Sequence, residues 1–407
     1  MRILQINKYL KYKGGSETYM FELSKELEKR GHEVKFWGMY DKDNVKNDFP
    51  EWEADEVNFK TLKGIRAKIV TTTKIIYSTT NRKKVGQVLD AFKPDIVHLH
   101  NYNHELTPSI LPEIKKRNIK IVQTVHDGKM VCPYHRLFNF ETNNTCTKCV
   151  TGSNFNCVKD KCFDNSLVKS AIGAFEQTLY DWLNFYNKYI DKFIIPSQFL
   201  ANLIENKIDK KKIRVLHNFT SLEFRQRLDN IQYDFIFFGR ISEEKGIFEL
   251  LDIIKDLPVS LLIIGDGPVT QEVKSKIADI PNITFVGPKY NKELFDLLQK
   301  GKYVIQPSKC FENCPMTIIE SYALQIPVVG SNHSGIKELI EDGKTGYLID
   351  FNDQDKARKK LLEISKQSTT LLEKTIKQVF LQKYHKDYHV SEILKIYDEV
   401  LNNSIKK

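Results

Sequence analysis

The sequence has no run of 18 or more apolar residues, so no membrane-spanning helix is expected. Its first ten residues, MRILQINKYL, lead into neither a long apolar segment nor a small-residue cleavage site. That sets aside a secretory leader and reads as the first β-strand of a cytosolic protein. Internal repeats and low-complexity tracts are missing, which leaves ordinary globular domains. Acidic residues are missing from 60–84 (KTLKGIRAKIVTTTKIIYSTTNRKK), which holds eight basic ones. DKD at 41–43 is an Asp-x-Asp, but it sits in an expected loop without the context of a divalent-metal site.

What remains is a chain of 407 residues, 41% hydrophobic and 28% charged, enough for two or three domains with sizeable cores. The net charge of +10 is unevenly placed. Residues 1–220 carry 36 Lys and Arg against 25 Asp and Glu; residues 221–407 carry 26 against 27. The whole surplus therefore lies in the first half. A basic patch suits nucleic acid or an anionic membrane surface, and a plain solvated lysine face explains it equally well.

Short apolar runs alternate with amphipathic stretches. ILQI (3–6), VKFWGMY (34–40), DIVHLH (95–100), IKIVQTVH (119–126) and DKFIIPSQF (191–199) read as strands. SETYMFELSKELEKRGHE (16–33) has Tyr19, Met20, Leu23 and Leu27 at helical spacing and a glycine near its end. A single long helix is expected over 166–189. The pattern restarts near KIRVLHNFT (212–220), with strands at 233–240, 259–267, 282–287, 302–308 and 326–332. Residues 389–407 read as a last amphipathic helix. The expected fold class is α/β: two doubly wound Rossmann-like domains facing across a cleft, with a cysteine-rich insert at about 130–165. The expected boundaries are 1–212, 213–385 and a helix over 386–407 that returns towards the N-terminal domain.

Residues 311–320, FENCPMTIIE, pose the chemical question: Glu312 and Glu320 stand with a Cys-Pro pair between them. Alone, this spacing fits an acidic loop followed by a helix with one solvated Glu. Its surroundings change the reading. FFGRISEEKG (237–246) leaves a strand and supplies Arg240 and Lys245, a planar fork and a mobile point charge that suit a diphosphate. GDGP (265–268) is a glycine turn after a strand, weak evidence by itself. Pro315 favours a first helical turn, which leaves the N–H groups of Met316 and Thr317 for an anion. IPVVGSNHSGIKELIEDGKTGYLI (326–349) adds a strand, a glycine turn and a helix aimed at the same place. Carboxylates repel phosphate but accept from hydroxyls, so Glu312 suits a sugar. Glu320, five residues beyond Pro315, is about 7.5 Å further along the helix axis, the offset from a diphosphate to a ribose.

GRISEEKGI, LLIIGDGP, ITFVG, the Glu-x7-Glu stretch and PVVGSNHSGIKELIEDGKTGYL, in this order, resemble the retaining GT-B glycosyltransferases of family 4, the kind that assembles bacterial polysaccharides and glycans. KGGSETYMFELSKELEKRGHEV, PDIVHLHN, IVQTVHD and FIIPSQF extend the resemblance to the whole chain. The resemblance implies that Gly14 and Gly15 form a loop over the donor, and that His126 faces the donor sugar. It also implies that Arg240 and Lys245 neutralise the leaving diphosphate, with Gly287, Asn313, Cys314, Pro315, Met316 and Thr317 beside it. Glu312 then binds sugar hydroxyls, and Glu320 grips the ribose. The catalytic set it implies is His126, Glu312, Lys245 and Arg240. Charge on the diphosphate is met by cations and a helix tip, so no catalytic cofactor is expected. Lys245→Ala and Glu320→Ala are expected to stop transfer with the fold kept.

Five of the seven cysteines cluster: Cys132, Cys146, Cys149, Cys157 and Cys162. Disulfides are disfavoured in a cytosolic enzyme, so CxxC followed by C-x4-C reads as a four-thiolate structural zinc site on Cys146, Cys149, Cys157 and Cys162, or as free thiols. Cys132 and His135 are alternative ligands. Cys310 and Cys314 read as small residues packing a tight turn.

The expected function is a metal-independent retaining transferase that moves a hexose-type sugar from a UDP- or GDP-sugar to a glycan hydroxyl in capsule or O-antigen synthesis. The basic first half, with Ile65, Ile69, Val70, Ile75 and Ile76 among its lysines, favours a lipid-linked acceptor and a place at the inner face of the cell membrane. A soluble small-molecule or protein acceptor is the nearer alternative. A zinc-containing nucleic-acid-binding protein is the more distant one, and it leaves the diphosphate motifs unexplained.

Overall fold

The computed structural model describes residues 1–46, 48–55, 76–228 and 230–402. They form two compact units: Met1–Leu137 with Cys146–His217 and His389–Lys407, and Phe138–Thr145 with Asn218–Tyr388.

The first unit opens with β1 (Arg2–Ile6), α1 (Gly15–Lys29), β2 (Glu33–Trp37), α2 (Thr79–Phe92), β3 (Ile96–Leu99), α3 (Ile110–Lys116) and β4 (Lys120–Thr124). A short antiparallel hairpin, β5 (Phe138–Asn139) and β6 (Asn144–Thr145), is grouped with the second unit. Then come α4 (Lys148–Thr151), α5 (Asn156–Lys159), α6 (Leu167–Trp182), α7 (Phe185–Tyr189), β7 (Lys192–Ile195), α8 (Gln198–Ile204) and β8 (Ile213–Val215). The strands make one parallel sheet in the order β2-β1-β3-β4-β7-β8. Its strands are apolar almost throughout because a parallel sheet is covered on both faces; all four residues of β3 are buried. Helix α1 turns Tyr19, Met20, Leu23 and Leu27 inward, each 1% exposed or less, and Gly31 at φ +83° reverses the chain after it.

The second unit runs β9 (Tyr233–Arg240), α9 (Ile247–Ile254), β10 (Leu261–Asp266), α10 (Thr270–Ile277), β11 (Ile283–Phe285), α11 (Asn291–Leu298), β12 (Gly301–Gln306), α12 (Met316–Ala323), β13 (Val328–Ser331), α13 (Ser334–Leu339) and β14 (Gly346–Ile349). Helices α14 (Gln354–Ser365), α15 (Thr370–Val379) and α16 (Lys386–Asn402) follow. Its parallel sheet has the order β11-β10-β9-β12-β13-β14, around a core that includes Phe235, Ile263, Ile305 and Tyr322. The fold class is the expected one, α/β with two doubly wound parallel sheets.

Three local expectations change. KIRVL does not restart the pattern: β8 pairs with β7 and closes the first sheet. The helix expected over 166–189 is two, because Asn184 takes a left-handed conformation (φ +47°) between α6 and α7. GYLI, left inside a turn-and-helix stretch, is β14, paired with β13. Helix α16 enters the first unit at His389: Tyr19 Oη lies 2.9 Å from His389 Nε2, and Tyr397 Oη lies 2.6 Å from His98 Nδ1. Among the described residues no helix is long and apolar enough to cross a membrane.

Candidate functional site

In the second unit the expected phosphate-binding residues gather at the carboxyl ends of β9 and β12, where open α/β sheets hold their ligands. Gly246 makes the first junction. Its φ is +73°, and a Cβ there would lie 2.0 Å from the Pro307 carbonyl oxygen, so only glycine fits. This close approach sets Lys245 against the segment after β12, where its ammonium pairs with the Glu312 carboxylate. Ser308 Oγ donates to the same oxygen, Oε1, at 2.7 Å. Burial works against both charges, yet each partner's field prevails: Lys245 is raised and Glu312 is held below the usual carboxylate range.

The loop carrying Glu312 is pinned from the other side by α13. The Glu312 N–H donates to Ser334 Oγ at 3.1 Å, and its carbonyl accepts from the Gly335 N–H at 2.9 Å. A Cβ on Gly335 would fall 1.5 Å from the Asn313 carbonyl oxygen. His333 Nε2 lies 2.9 Å from the Ser308 carbonyl. Cys314 is buried and its sulfur accepts from the Asn218 N–H at 3.3 Å, while burial pushes the Cys310 thiol up to about 11. Both cysteines thus fill space around the loop.

Pro315 is the cap of α12 rather than its first residue, and no side chain caps the helix. The N–H groups of Met316 and Thr317 therefore point out of the helix without an acceptor among the described residues. Gly239 abuts this tip: a Cβ there would stand 3.9 Å from Thr317 Cγ2. Arg240, next in the chain and opposite Asp266 in register, is exposed and has no ion-pair partner among the described residues. Thr317 Oγ1 donates to Gln306 Oε1 at 3.1 Å, fixing the tip to the end of β12. One turn along, Glu320 is half-buried and its carboxyl has no cation or donor among the described residues. Burial pushes it up to about 7. Gly287 is more distant, following the edge strand β11, with its carbonyl accepting from the Gly265 N–H at 3.0 Å. Sequence reasoning missed Ser308, Gln306 and Ser334, each polar at a strand or helix end within quoted motifs.

In the first unit, Gly14 and Gly15 are the cap and first residue of α1, not a free loop. Gly14 is extended (φ −167°), and a Cβ there would only touch Glu17 Oε2 at 3.6 Å, so this geometry does not itself demand glycine. The helix start is braced by polar groups that the sequence did not single out. Asn7 donates to Glu17 Oε1 at 3.1 Å, and Asn101 donates to Ser16 Oγ at 3.1 Å. His126 follows β4 and joins a buried imidazole row: its Nε2 is 3.0 Å from His100 Nδ1, whose Nε2 is 2.8 Å from Gln5 Oε1. Burial holds His126 down to about 4, against the pull of Asp127, so the ring is neutral at pH 7. The DKD carboxylates, Asp41 and Asp43, both turn to Lys11.

The seven cysteines are all free thiols. Cys157 hydrogen-bonds Cys162, and burial pushes Cys149 up to about 12. Among the described residues no three His, Cys, Asp or Glu side chains are arranged to hold a metal ion. The segment with Ile65, Ile69, Val70 and Ile75 lies outside the described residues; Ile76 is within them.

Two family models match the chain: Glycosyltransferase Family 4 over residues 13–224, and Glycosyl transferases group 1 over residues 218–381. An uncharacterized glycosyltransferase of Methanocaldococcus jannaschii is 25% identical over 215 residues, 52% of this chain and 60% of that protein. A lipopolysaccharide 1,2-N-acetylglucosaminetransferase of Salmonella typhimurium is 28% identical over 183 residues, 38% of this chain and 48% of that protein. The chain thus spans only about half the length of such curated relatives. Among solved structures, HepE of Anabaena in complex with UDP and glucose superposes with a TM-score of 0.66 at 16% identity, covering 98% of this chain and 100% of that one. At that identity the likeness speaks for the fold.

Proposed function

This chain belongs to glycosyltransferase family 4, and on that premise we propose that it moves a hexose-type sugar from a nucleoside-diphosphate sugar to a glycan hydroxyl. The observation that carries the reading is the convergence at the end of β9 and β12. An unpaired arginine, a lysine held by Glu312 and two free N–H groups of a helix tip lie together there. Each is a donor or a cation, and together they suit the charge that grows on a departing diphosphate. Glu312, already bound to Lys245 and Ser308, is oriented for sugar hydroxyls, and Glu320 for a ribose. Because cations and amides meet the leaving group, the proposed transfer needs no metal. His126, neutral and positioned by His100, is proposed to hydrogen-bond the donor sugar, with anomeric configuration retained.

The acceptor is proposed to be lipid-linked, in cell-surface polysaccharide synthesis at the inner face of the membrane. The support is the basic surplus of residues 1–220 and the likeness to the Salmonella lipopolysaccharide enzyme. A screen of nucleotide-sugar hydrolysis by the purified chain tests the donor half. Turnover of one UDP- or GDP-sugar, reduced by Arg240→Ala, is expected; no turnover of any nucleotide sugar would contradict it. Zinc on the insert's thiols is proposed only as a structural element, and metal analysis of chelator-free protein decides it: about one zinc per chain supports it, and folded, metal-free protein ends it.

A further inference from the structure

Strand β1 buries Gln5 among Ile3, Leu4 and Ile6, and β3 runs through His98 to His100; each of these polar side chains is 1% exposed or less. Amides and imidazoles weaken a core unless their hydrogen bonds are made. Gln5 Oε1 lies 2.8 Å from His100 Nε2, and His100 Nδ1 lies 3.0 Å from His126 Nε2. The side chains thus form one line, from β1 past the end of β3 to the residue region after β4. Its last member is the histidine proposed to meet the donor sugar.

The protons along this line have one consistent order. Burial and the neighbouring imidazoles hold His100 well below its ordinary range, so the ring is neutral and carries a single N–H. The Gln5 carbonyl oxygen only accepts, so that proton sits on His100 Nε2. His100 Nδ1 then bears the lone pair and accepts from His126 Nε2. His126 is neutral as well, which leaves its own lone pair on Nδ1. The neighbours do not compete for this order. His98 has Nδ1 2.6 Å from Tyr397 Oη and Nε2 2.8 Å from Thr124 Oγ1. Tyr19 stands edge-on to His126, ring centres 5.3 Å apart at 70°, but its hydroxyl proton is committed elsewhere. His389, kept neutral by burial, donates from Nδ1 to the His217 carbonyl at 2.9 Å, so its Nε2 accepts from Tyr19 Oη.

We infer that Gln5 and His100 are positioning residues that fix the tautomer of His126, so that His126 Nδ1 accepts a hydrogen bond from a hydroxyl of the bound sugar. Gln5 sets the direction of every bond in the line. A packing role alone accounts poorly for it: Gln5 Nε2 is buried with no partner among the described residues, and a leucine would fill the place without an orphaned amide. The inference rests on the proposed contact between His126 and the donor sugar. What it adds is the sense of that contact, with the sugar hydroxyl donating, and two residues outside the contact that enforce it.

The full chain is prepared with histidine labelled in its ring nitrogens for magnetic resonance, and His126→Gln identifies the His126 signals. Ring-nitrogen shifts separate a protonated nitrogen from a bare one. In wild type the His126 proton is expected on Nε2, and in Gln5→Leu both tautomers should be populated. Donor hydrolysis should fall at least about tenfold in Gln5→Leu and in His100→Leu, with UDP or GDP binding unchanged. His100→Asn, whose amide oxygen can stand where Nδ1 stood, should recover most of that rate. A wild-type proton on His126 Nδ1, which the reverse order of the line would give, overturns the inference even where a variant fails to fold. So does an unchanged His126 tautomer in Gln5→Leu, or a His100→Leu variant that hydrolyses donor as fast as His100→Asn. No turnover of any nucleotide sugar by wild type would instead remove the proposed function and the sugar as partner, while the spectra still decide the tautomer.

Discussion

Glu320 holds a carboxyl pushed up to about 7 by burial, one helical turn from an anion-ready tip. Its folded value lies above the unfolded one, so the folded chain binds the extra proton, and stability falls as pH rises from about 4.5 to about 7. Glu320→Gln should therefore stabilise the protein above about pH 7 by about 1–3 kcal/mol and change little below about pH 4. Denaturant titrations at both ends of that range check this. The same variant should bind nucleotide more weakly, because an amide accepts ribose hydroxyls less well than a carboxylate. A variant no more stable than wild type above about pH 7 would contradict the reading. Lys245 behaves oppositely. The sequence treats it as a free cation whose removal keeps the fold, but it neutralises Glu312. Lys245→Ala should cost about 1–3 kcal/mol by stranding that carboxylate, and Lys245→Met with Glu312→Gln should restore most of it. The residue types at this site were legible from their motifs. Their pairing was not, because Lys245 and Glu312 are 67 residues apart and meet where Gly246 lets the two segments approach and where the Glu244 carbonyl accepts from the Lys309 and Cys310 N–H groups.

At the scale of elements, strands were readable where burial is total. FIFF in β9 is a continuous apolar run and IVHL in β3 is one but for the buried His98, and no other local structure competes for them. β8 and β14 escaped for a physical reason: each edges its sheet, and its mixed, half-buried residues lose the apolar signature. The break at Asn184 escaped too, since a single left-handed residue interrupts a helical period without altering it. The join between α13 and the Glu312 loop is the element contact on which the site depends most. Gly335→Ala should push the Asn313 carbonyl away and release Glu312 from Ser334, lowering the thermal midpoint and abolishing nucleotide binding. A variant that melts and binds as wild type would show that the loop has another anchor.

Over the whole molecule, charge and chemistry divide along the chain. The donors suited to phosphate lie in the second unit, whereas the surplus of positive charge belongs to residues 1–220, where α6 and the basic segment at 60–74 are found. The last helix, α16, contributes His389 and Tyr397 to the first unit, so truncation before 389 should expose the buried side of Tyr19 and His98. The claim beneath all of this is electrostatic: Arg240, Lys245 and the amides of Met316 and Thr317 form a seat for a pyrophosphate. A crystal of the chain grown with UDP or GDP tests it most directly. Both phosphorus atoms should lie against Arg240 and the start of α12, with the ribose at Glu320; phosphorus atoms bound elsewhere, with that tip bare, would contradict the account.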